Sequence, residues 1–94
     1  MAGKAKYRSQ AGIVYDILQA IASEGRAPAT RIMYAARLPY DRLRQMLEHL
    51  ENVGLVSEVT DEDRVYYTLT QKGMETLQEL RRAKRLLEQL GLRF

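Results

Sequence analysis

Apolar residues recur at the three-and-four spacing of amphipathic helices along most of this 94-residue chain. The first stripe predicts a helix from about Arg8 to Ser23, with Gly25 as its C-terminal cap. Its apolar members are Ile13, Val14, Ile17, Leu18 and Ile21. Residues 26–29 are predicted to form a connector or a very short edge strand, because Pro28 cannot donate within a ladder.

Two further helices follow this connector. The second helix is predicted from about Ala29 to Ala36, and the third begins near Pro39, since proline is tolerated in a first helical turn. Gly54 ends the third helix. The residues expected to face inward are Ile32, Met33 and Ala36 in the second helix, and Leu43, Met46, Leu47, Leu50 and Val53 in the third. At about 100° per residue the opposite arc of helix three carries Asp41, Arg42, Gln45, Glu48, His49 and Asn52.

The next segment has the composition of two short strands. Residues 55–60 and 64–70 are rich in Val, Tyr, Leu and Thr, and the polar turn Asp61-Glu62-Asp63 separates them. This pattern predicts a β-hairpin, after which Thr70 caps a last helix that continues to about Leu90. The order is therefore helix, helix, helix, hairpin, helix. It predicts a mainly α fold with a small β-hairpin, a winged helix-turn-helix in which helix three is presented to a DNA groove.

The last helix carries more apolar residues than its own domain needs. Met74 and Leu77 are expected to complete the core of the winged-helix domain, which spans residues 8–73. Beyond them a 3-4-3-4 spacing predicts a coiled-coil seam. The seam residues are Leu80, Ala83, Leu87, Leu90 and Phe94. We therefore predict that residues 74–94 form a dimerisation helix pairing with a second copy; the alternative is that this helix folds back over its own domain.

Charge is segregated along the chain, although the net charge is only +3. Residues 1–44 hold eight basic and three acidic side chains. Residues 45–63 hold six acidic side chains and no Lys or Arg, and residues 64–94 hold seven basic and three acidic side chains. Such a domain can offer a positive face to a polyanion, or these can be ordinary solvated faces. The chain has no cysteine, which excludes disulfides and thiolate chemistry and fits a reducing compartment. No apolar run approaches the ~20 residues that span a bilayer. With the predicted DNA-binding fold, we expect a cytoplasmic, nucleoid-associated protein.

The candidate base contacts lie at the start of helix three. Arginine bonds bidentately to guanine and glutamine to adenine, so the expected residues are Tyr40, Arg42, Arg44 and Gln45. Tyr40 has packing as its alternative role, and for the others the alternative is ordinary surface polarity. Asp41 and Glu48 share this surface and would repel phosphates.

Phosphate contacts are expected from residues around helix three. Arg31 in helix two and Arg37 in the turn occupy positions where this motif contacts the DNA backbone. Residues 1–7 form a basic arm whose Lys4 and Lys6, with the adjoining Arg8, can add phosphate or minor-groove contacts. The β-hairpin is the wing of this fold, and its tip, Asp61-Glu62-Asp63, is acidic. Only Arg64 is therefore expected to favour DNA there, and the wing should contribute little affinity.

Four segments carry a family resemblance over almost the whole chain. They are Thr30-Arg31-Ile32-Met33-Tyr34, Leu38-Pro39-Tyr40, Gly54-Leu55-Val56 and Tyr67-Thr68-Leu69-Thr70-Gln71-Lys72-Gly73. With these the chain resembles the small archaeal winged-helix DNA-binding proteins and, more distantly, the MarR and PadR regulators. The resemblance implies double-stranded DNA as partner and a homodimer joined by antiparallel C-terminal helices.

The sequence does not favour an enzyme. His49 is the only histidine, and the chain has no glycine-rich phosphate loop and no metal-ligand spacing. We therefore predict no catalytic residue, metal, cofactor or small-molecule ligand. Two functions remain: a dimeric DNA-binding protein, either a transcriptional regulator or a chromosomal architectural protein, and a winged-helix module for protein–protein contact. In the second, the carboxylates of the wing and of helix three would face a basic partner.

Overall fold

The computed structural model describes residues 8–94, which form four helices and three strands. The elements are α1 Gln10–Glu24, β1 Arg26–Ala27, α2 Ala29–Ala36, α3 Tyr40–Asn52, β2 Val56–Asp61, β3 Arg64–Leu69 and α4 Gln71–Gln89. This confirms the predicted class, a winged helix that is mainly α and ends in a long C-terminal helix. The predicted basic arm, with Lys4 and Lys6, lies outside the described residues. Between residues 8 and 94 no helix is both long and apolar enough to cross a membrane.

The sheet has three antiparallel strands in the order β1-β3-β2. β2 and β3 form the hairpin, in register from Val56 opposite Leu69 to Asp61 opposite Arg64. β1 adds to the other side of β3, so the short-edge-strand alternative for this segment is confirmed. Pro28 follows β1 directly and limits it to two residues, because proline has no N–H to continue the ladder.

The hairpin turn is shorter than the sequence predicted. Asp61 is the last residue of β2, and only Glu62 and Asp63 form the loop. Both have positive φ angles, 50° and 66°, as in a two-residue type I′ turn. Type I′ geometry matches the right-handed twist of the flanking strands, so it keeps Asp61 and Arg64 paired.

The core lies where α1 crosses the other helices and the sheet. Ile17, Leu18 and Ile21 are fully buried there, and the inward face of α3 joins them. Two residues predicted to be in the core are not. Val53 is exposed because α3 ends at Asn52, so Val53 lies outside the helix and does not continue its buried face. Met74 is 50% exposed.

The position of Met74 follows from the start of α4. Gly73 and Leu77, four residues apart on one face of the helix, both face the domain. Met74 is one residue beyond Gly73 and therefore turned by about 100° away from that face. Gly73, rather than the apolar Met74, therefore lies against the Leu55 carbonyl just before β2.

Hydrogen bonds join this helix start to the chain before β2. The Thr70 hydroxyl accepts from the Gly73 N–H at 2.9 Å and donates to the Gly54 carbonyl at 2.6 Å. The Thr70 N–H donates to the Leu55 carbonyl at 3.1 Å. A Cβ atom on Gly73 would overlap that carbonyl oxygen and lie 3.0 Å from the Leu55 carbonyl carbon. Residues 54–56 and 69–73, which both belong to the segments that carry the family resemblance, therefore form the two sides of one contact.

The rest of α4 lies partly along α1. Leu80 packs against the core, and the Arg81 guanidinium donates twice to Oε1 of Gln19, at 3.2 and 2.7 Å. After Gly91 the chain returns to α1, where the Phe94 ring meets the Tyr15 ring edge-on at 5.8 Å between centroids. Two of the five predicted seam residues thus contact their own domain.

Candidate nucleic-acid interface

The turn between α2 and α3 is three residues long and fixed at both ends. Arg37 ends α2 in the left-handed conformation, with φ 56° and ψ 53°. The Leu38 N–H donates back to the Met33 carbonyl at 3.2 Å, the bond of a Schellman motif, and the Leu38 side chain is buried. Pro39 then precedes the first turn of α3 in an extended conformation. This turn exposes the outer face of α3.

The outer face of α3 is polar, as the sequence predicted. Its buried face carries Leu43, Met46, Leu47 and Leu50, and all six residues assigned to the opposite arc are exposed. Within residues 8–94 Arg42 takes part in no ion pair. Tyr40, the first residue of α3, is about half exposed. Arg42, Gln45 and Tyr40 are therefore all accessible to a partner lying along α3.

Arg44 is held by the hairpin. Its Nη1 donates to the Tyr67 hydroxyl at 2.9 Å, and Tyr67 is almost fully buried in β3. Burial raises the pKa of Tyr67, and the nearby carboxylate of Glu58 raises it further, against the opposing effect of Arg44. The sequence did not indicate this hydrogen bond, because the two residues are 23 positions apart and meet only when the hairpin packs against α3.

Carboxylates surround Arg44. The pKa of Glu51 is raised above its ordinary value, first by burial, then by a hydrogen bond and charge repulsion from Glu58, while Arg44 lowers it. Glu48 adds a smaller repulsion. The flank of α3 that faces the hairpin is thus rich in negative charge, and the Arg44 charge is partly balanced there.

The arginines predicted to contact phosphates differ in how strongly their side chains are already bound within the protein. Arg31 forms an ion pair with Glu24, Nη1 to Oε2 at 3.1 Å, but its side chain remains 62% exposed. An exposed pair of this kind stabilises little, so a phosphate can replace the carboxylate. Arg8 is more enclosed: Nη1 lies 2.6 Å from Oδ2 of Asp16, and Nη2 donates to the Arg37 carbonyl at 3.1 Å. Arg8 therefore joins α1 to the turn before α3.

The tip of the wing carries less unbalanced negative charge in the folded protein than its sequence suggests. Nη2 of Arg26 lies 2.8 Å from Oδ2 of Asp61, and the same guanidinium stacks 4.2 Å from the centre of the Tyr66 ring. Asp61 is thereby balanced, which leaves Glu62 and Asp63 as the negative charges beside the exposed Arg64. Arg26 was not among the predicted site residues, because its role depends on the pairing of β1 with β3.

A site for a metal is not formed by the described residues. Between residues 8 and 94 there is no group of three or more His, Asp or Glu side chains placed to hold a metal ion. What the arrangement offers is an exposed polar helix with arginines on and around it, set against a short sheet. Such a surface suits hydrogen bonding to bases and phosphates.

Comparison with known proteins agrees with this geometry. The family model described as winged helix-turn-helix matches residues 7–88. The structure is similar to that of Sso10a-2, a DNA-binding protein from Sulfolobus solfataricus, with a TM-score of 0.79 and 29% sequence identity. That alignment covers 88% of this chain and 85% of Sso10a-2. No curated protein matches the sequence significantly.

Two further solved structures share the fold at lower identity. The MarR family transcriptional regulator SPO1453 from Silicibacter pomeroyi DSS-3 is 20% identical with a TM-score of 0.71, over 83% of this chain and 57% of the regulator. BpsR from Bordetella bronchiseptica, whose DNA binding is regulated by 6-hydroxynicotinic acid, is 22% identical with a TM-score of 0.75. Its alignment covers 86% of this chain and 58% of BpsR. The chain thus spans less than two thirds of the length of either protein.

Proposed function

The chain belongs to the winged helix-turn-helix family, and on that premise we propose that it binds double-stranded DNA with α3 in the major groove. The observation that carries this proposal is the outer face of α3, which is polar, exposed and placed beside a short rigid turn. Sso10a-2, similar over nearly its whole length, is a DNA-binding protein.

The proposed contacts divide into bases and phosphates. Arg42 and Gln45 are free to reach base edges, and Tyr40 and Arg44 flank them. The backbone contacts come from Arg31, Arg37 and Arg64, with Lys4, Lys6 and Arg8 as an additional basic arm. Because Arg8 is already paired with Asp16, we assign it the weakest contribution of this set.

We also propose that the protein acts as a homodimer through α4. Ala83, Leu86 and Leu90 form an exposed apolar strip on the side of α4 turned away from α1, with Leu86 56% and Leu90 62% exposed. Ala83 and Leu90 belong both to this strip and to the predicted seam, whereas Leu86 was not predicted. Leu87, which was predicted, is half-buried at the edge of the strip. Exposed apolar side chains at helical spacing are typical of a surface that a second helix covers.

The test is the salt dependence of binding to a duplex of random sequence. Each phosphate neutralised contributes a slope of about −0.9 in log K against log salt, so affinity should fall steeply with added salt. Arg42→Ala should weaken binding by about 5-fold or more, because it removes a proposed contact to a base edge. The matched control is Arg82→Ala, because Arg82 is a well-exposed arginine on α4. It should leave the affinity nearly unchanged.

The alternative function is a module that contacts a basic protein. It is favoured by the carboxylates of Asp41 and Glu48 on the outer face of α3 and by the acidic tip of the wing. A complete lack of duplex binding at low salt would support this alternative and contradict DNA binding. Equal effects of Arg42→Ala and Arg82→Ala would contradict the placement of α3 in the groove.

A further inference from the structure

One line of α3 points straight away from the domain and carries no cation. Asp41, Gln45, Glu48 and Asn52 are spaced by four, three and four residues, so at about 100° per residue they fall within an arc of about 60°. This outer row lies opposite the buried face, and all four residues are exposed. When α3 enters a groove, the outer row is the part nearest the bases.

The cations of α3 lie beside the outer row. Arg42 is turned about 100° from Asp41 to one side, and Arg44 about 60° to the other. Arg44 is held on its side by the Tyr67 hydroxyl, and Arg42 lies on the other side of the outer row. Neither Asp41 nor Glu48 forms an ion pair within residues 8–94, so their carboxylates are not neutralised by the described part of the chain.

Carboxylates at this position are selective. The major groove presents hydrogen-bond donors only at the amino groups of cytosine N4 and adenine N6, whereas guanine N7 and O6 and thymine O4 are acceptors. An ionised carboxylate can only accept, so it matches cytosine or adenine and opposes the other edges. A protein that holds any duplex equally well gains nothing from two such groups, because they repel phosphates in every register.

We propose that this protein binds DNA sequence-selectively, with Asp41 and Glu48 accepting hydrogen bonds from the amino groups of cytosine or adenine. The inference rests on the proposed function and extends it, since it favours a regulator over a sequence-tolerant architectural protein. Gln45, between the two carboxylates, adds a preference for adenine. The carboxylates act in two ways: they bind the matching bases and they penalise every other register.

The experiment selects duplexes from a randomised pool with the wild-type protein and then compares affinities for the selected duplex and a shuffled one. We expect the wild-type protein to prefer the selected duplex by about tenfold or more, with cytosine or adenine fixed at the contacted positions. Asp41→Asn and Glu48→Gln should each lower this ratio by about 5-fold or more, chiefly through tighter binding to the shuffled duplex. Both residues are exposed, and circular dichroism checks that the variants fold.

The matched control is Glu62→Gln, which removes the same charge from the tip of the wing. It should raise the affinity for both duplexes equally and leave their ratio unchanged. A wild-type ratio near one would overturn sequence selectivity while leaving DNA binding intact. A ratio that neither Asp41→Asn nor Glu48→Gln alters would overturn the role of the carboxylates. If no duplex binds at low salt, the proposed function itself fails.

Discussion

Gly73 sets how closely α4 approaches the chain that leads into β2. Its missing side chain is what lets the Leu55 carbonyl reach the first turn of α4 and accept the Thr70 N–H. Alanine in a helix interior ordinarily stabilises by up to about 1 kcal/mol over glycine. At Gly73 the overlap with backbone outweighs this gain, because the carbonyl cannot rotate away without breaking its hydrogen bond.

We therefore predict that Gly73→Ala lowers the free energy of unfolding by about 2 kcal/mol, as other overpacked sites do. Chemical denaturation measures the change. Gly12→Ala is the matched control, since Gly12 is likewise the third residue of a helix, but its added Cβ would have a side-chain atom, Ser9 Oγ, as nearest neighbour at 3.3 Å instead of overlapping a backbone carbonyl. If Gly73→Ala were as stable as Gly12→Ala, the close contact with Leu55 would not restrict position 73.

Glu51 gives the fold a pH dependence. Its pKa in the folded protein is raised above the ordinary value of 4.5, first by burial and then by Glu58. The folded state therefore holds this proton more tightly than the unfolded state does. The corresponding stabilisation is fully present below pH 4.5 and is lost as pH rises through the raised pKa.

Glu51→Gln should remove this pH dependence, because the amide does not ionise. At neutral pH the variant is expected to be more stable than the wild-type protein, and the difference should shrink as pH falls towards 4.5. Thermal unfolding followed at several pH values measures it. Glu79→Gln, which replaces an exposed carboxylate on α4, is the control for the loss of one negative charge. A difference that grew on acidification would contradict the raised pKa.

At the scale of elements, local signals placed the helices well. α2 has the predicted bounds, Ala29–Ala36, and Gly25 ends α1. The start of α1 was predicted two residues early. Ser9 caps this helix by accepting the Gly12 N–H at 3.0 Å, which fixes its first residue as Gln10.

The turn of the wing is strained by its sequence. Glu62 and Asp63 both adopt positive φ angles, where Asn and Gly are strongly preferred in a type I′ turn. The favoured pair for this turn is asparagine followed by glycine. The double variant Glu62→Asn with Asp63→Gly should therefore raise the free energy of unfolding by about 1 kcal/mol. Denaturant titration measures the gain.

The control for the turn removes the same charges without easing the backbone. Glu62→Gln with Asp63→Gln should stabilise less, because glutamine has no preference for positive φ. Both double variants should bind duplex DNA more tightly than the wild-type protein, since both remove two negative charges from the wing. Equal stability of the two variants would indicate that charge, rather than turn geometry, limits the wing.

At the scale of the whole molecule, the exposed strip on α4 predicts the oligomeric state. Leu90→Asp places a charge in the proposed dimer interface and should convert the dimer to a monomer, measured by analytical ultracentrifugation. Leu90 is a cleaner test than Leu87, because Leu90 is 62% exposed whereas Leu87 is partly buried. Leu92→Asp is the control: Leu92 is similarly exposed, at 55%, but lies beyond the end of α4. Two variants of equal mass in solution would contradict the proposed strip.

The candidate site could be predicted only in part. The exposure of Arg42 and Gln45 follows from helical spacing, since the same period that buries Leu43 and Leu47 turns them outward. The surroundings of Arg44 and Asp61 did not follow, because their partners Tyr67 and Arg26 lie on strands distant in sequence. Whether an arginine is free or paired is a property of the assembled sheet.

The sequence by itself determined the order and type of the elements, because helical periodicity, caps and turn residues act over a few neighbouring positions. Only the tertiary structure decided which apolar residues are covered. Met74 is turned outward since Gly73 takes the place against Leu55, and Phe94 lies on Tyr15 although its spacing matches a seam. Burial depends on what else occupies the space around a side chain, and that is fixed by packing between distant segments.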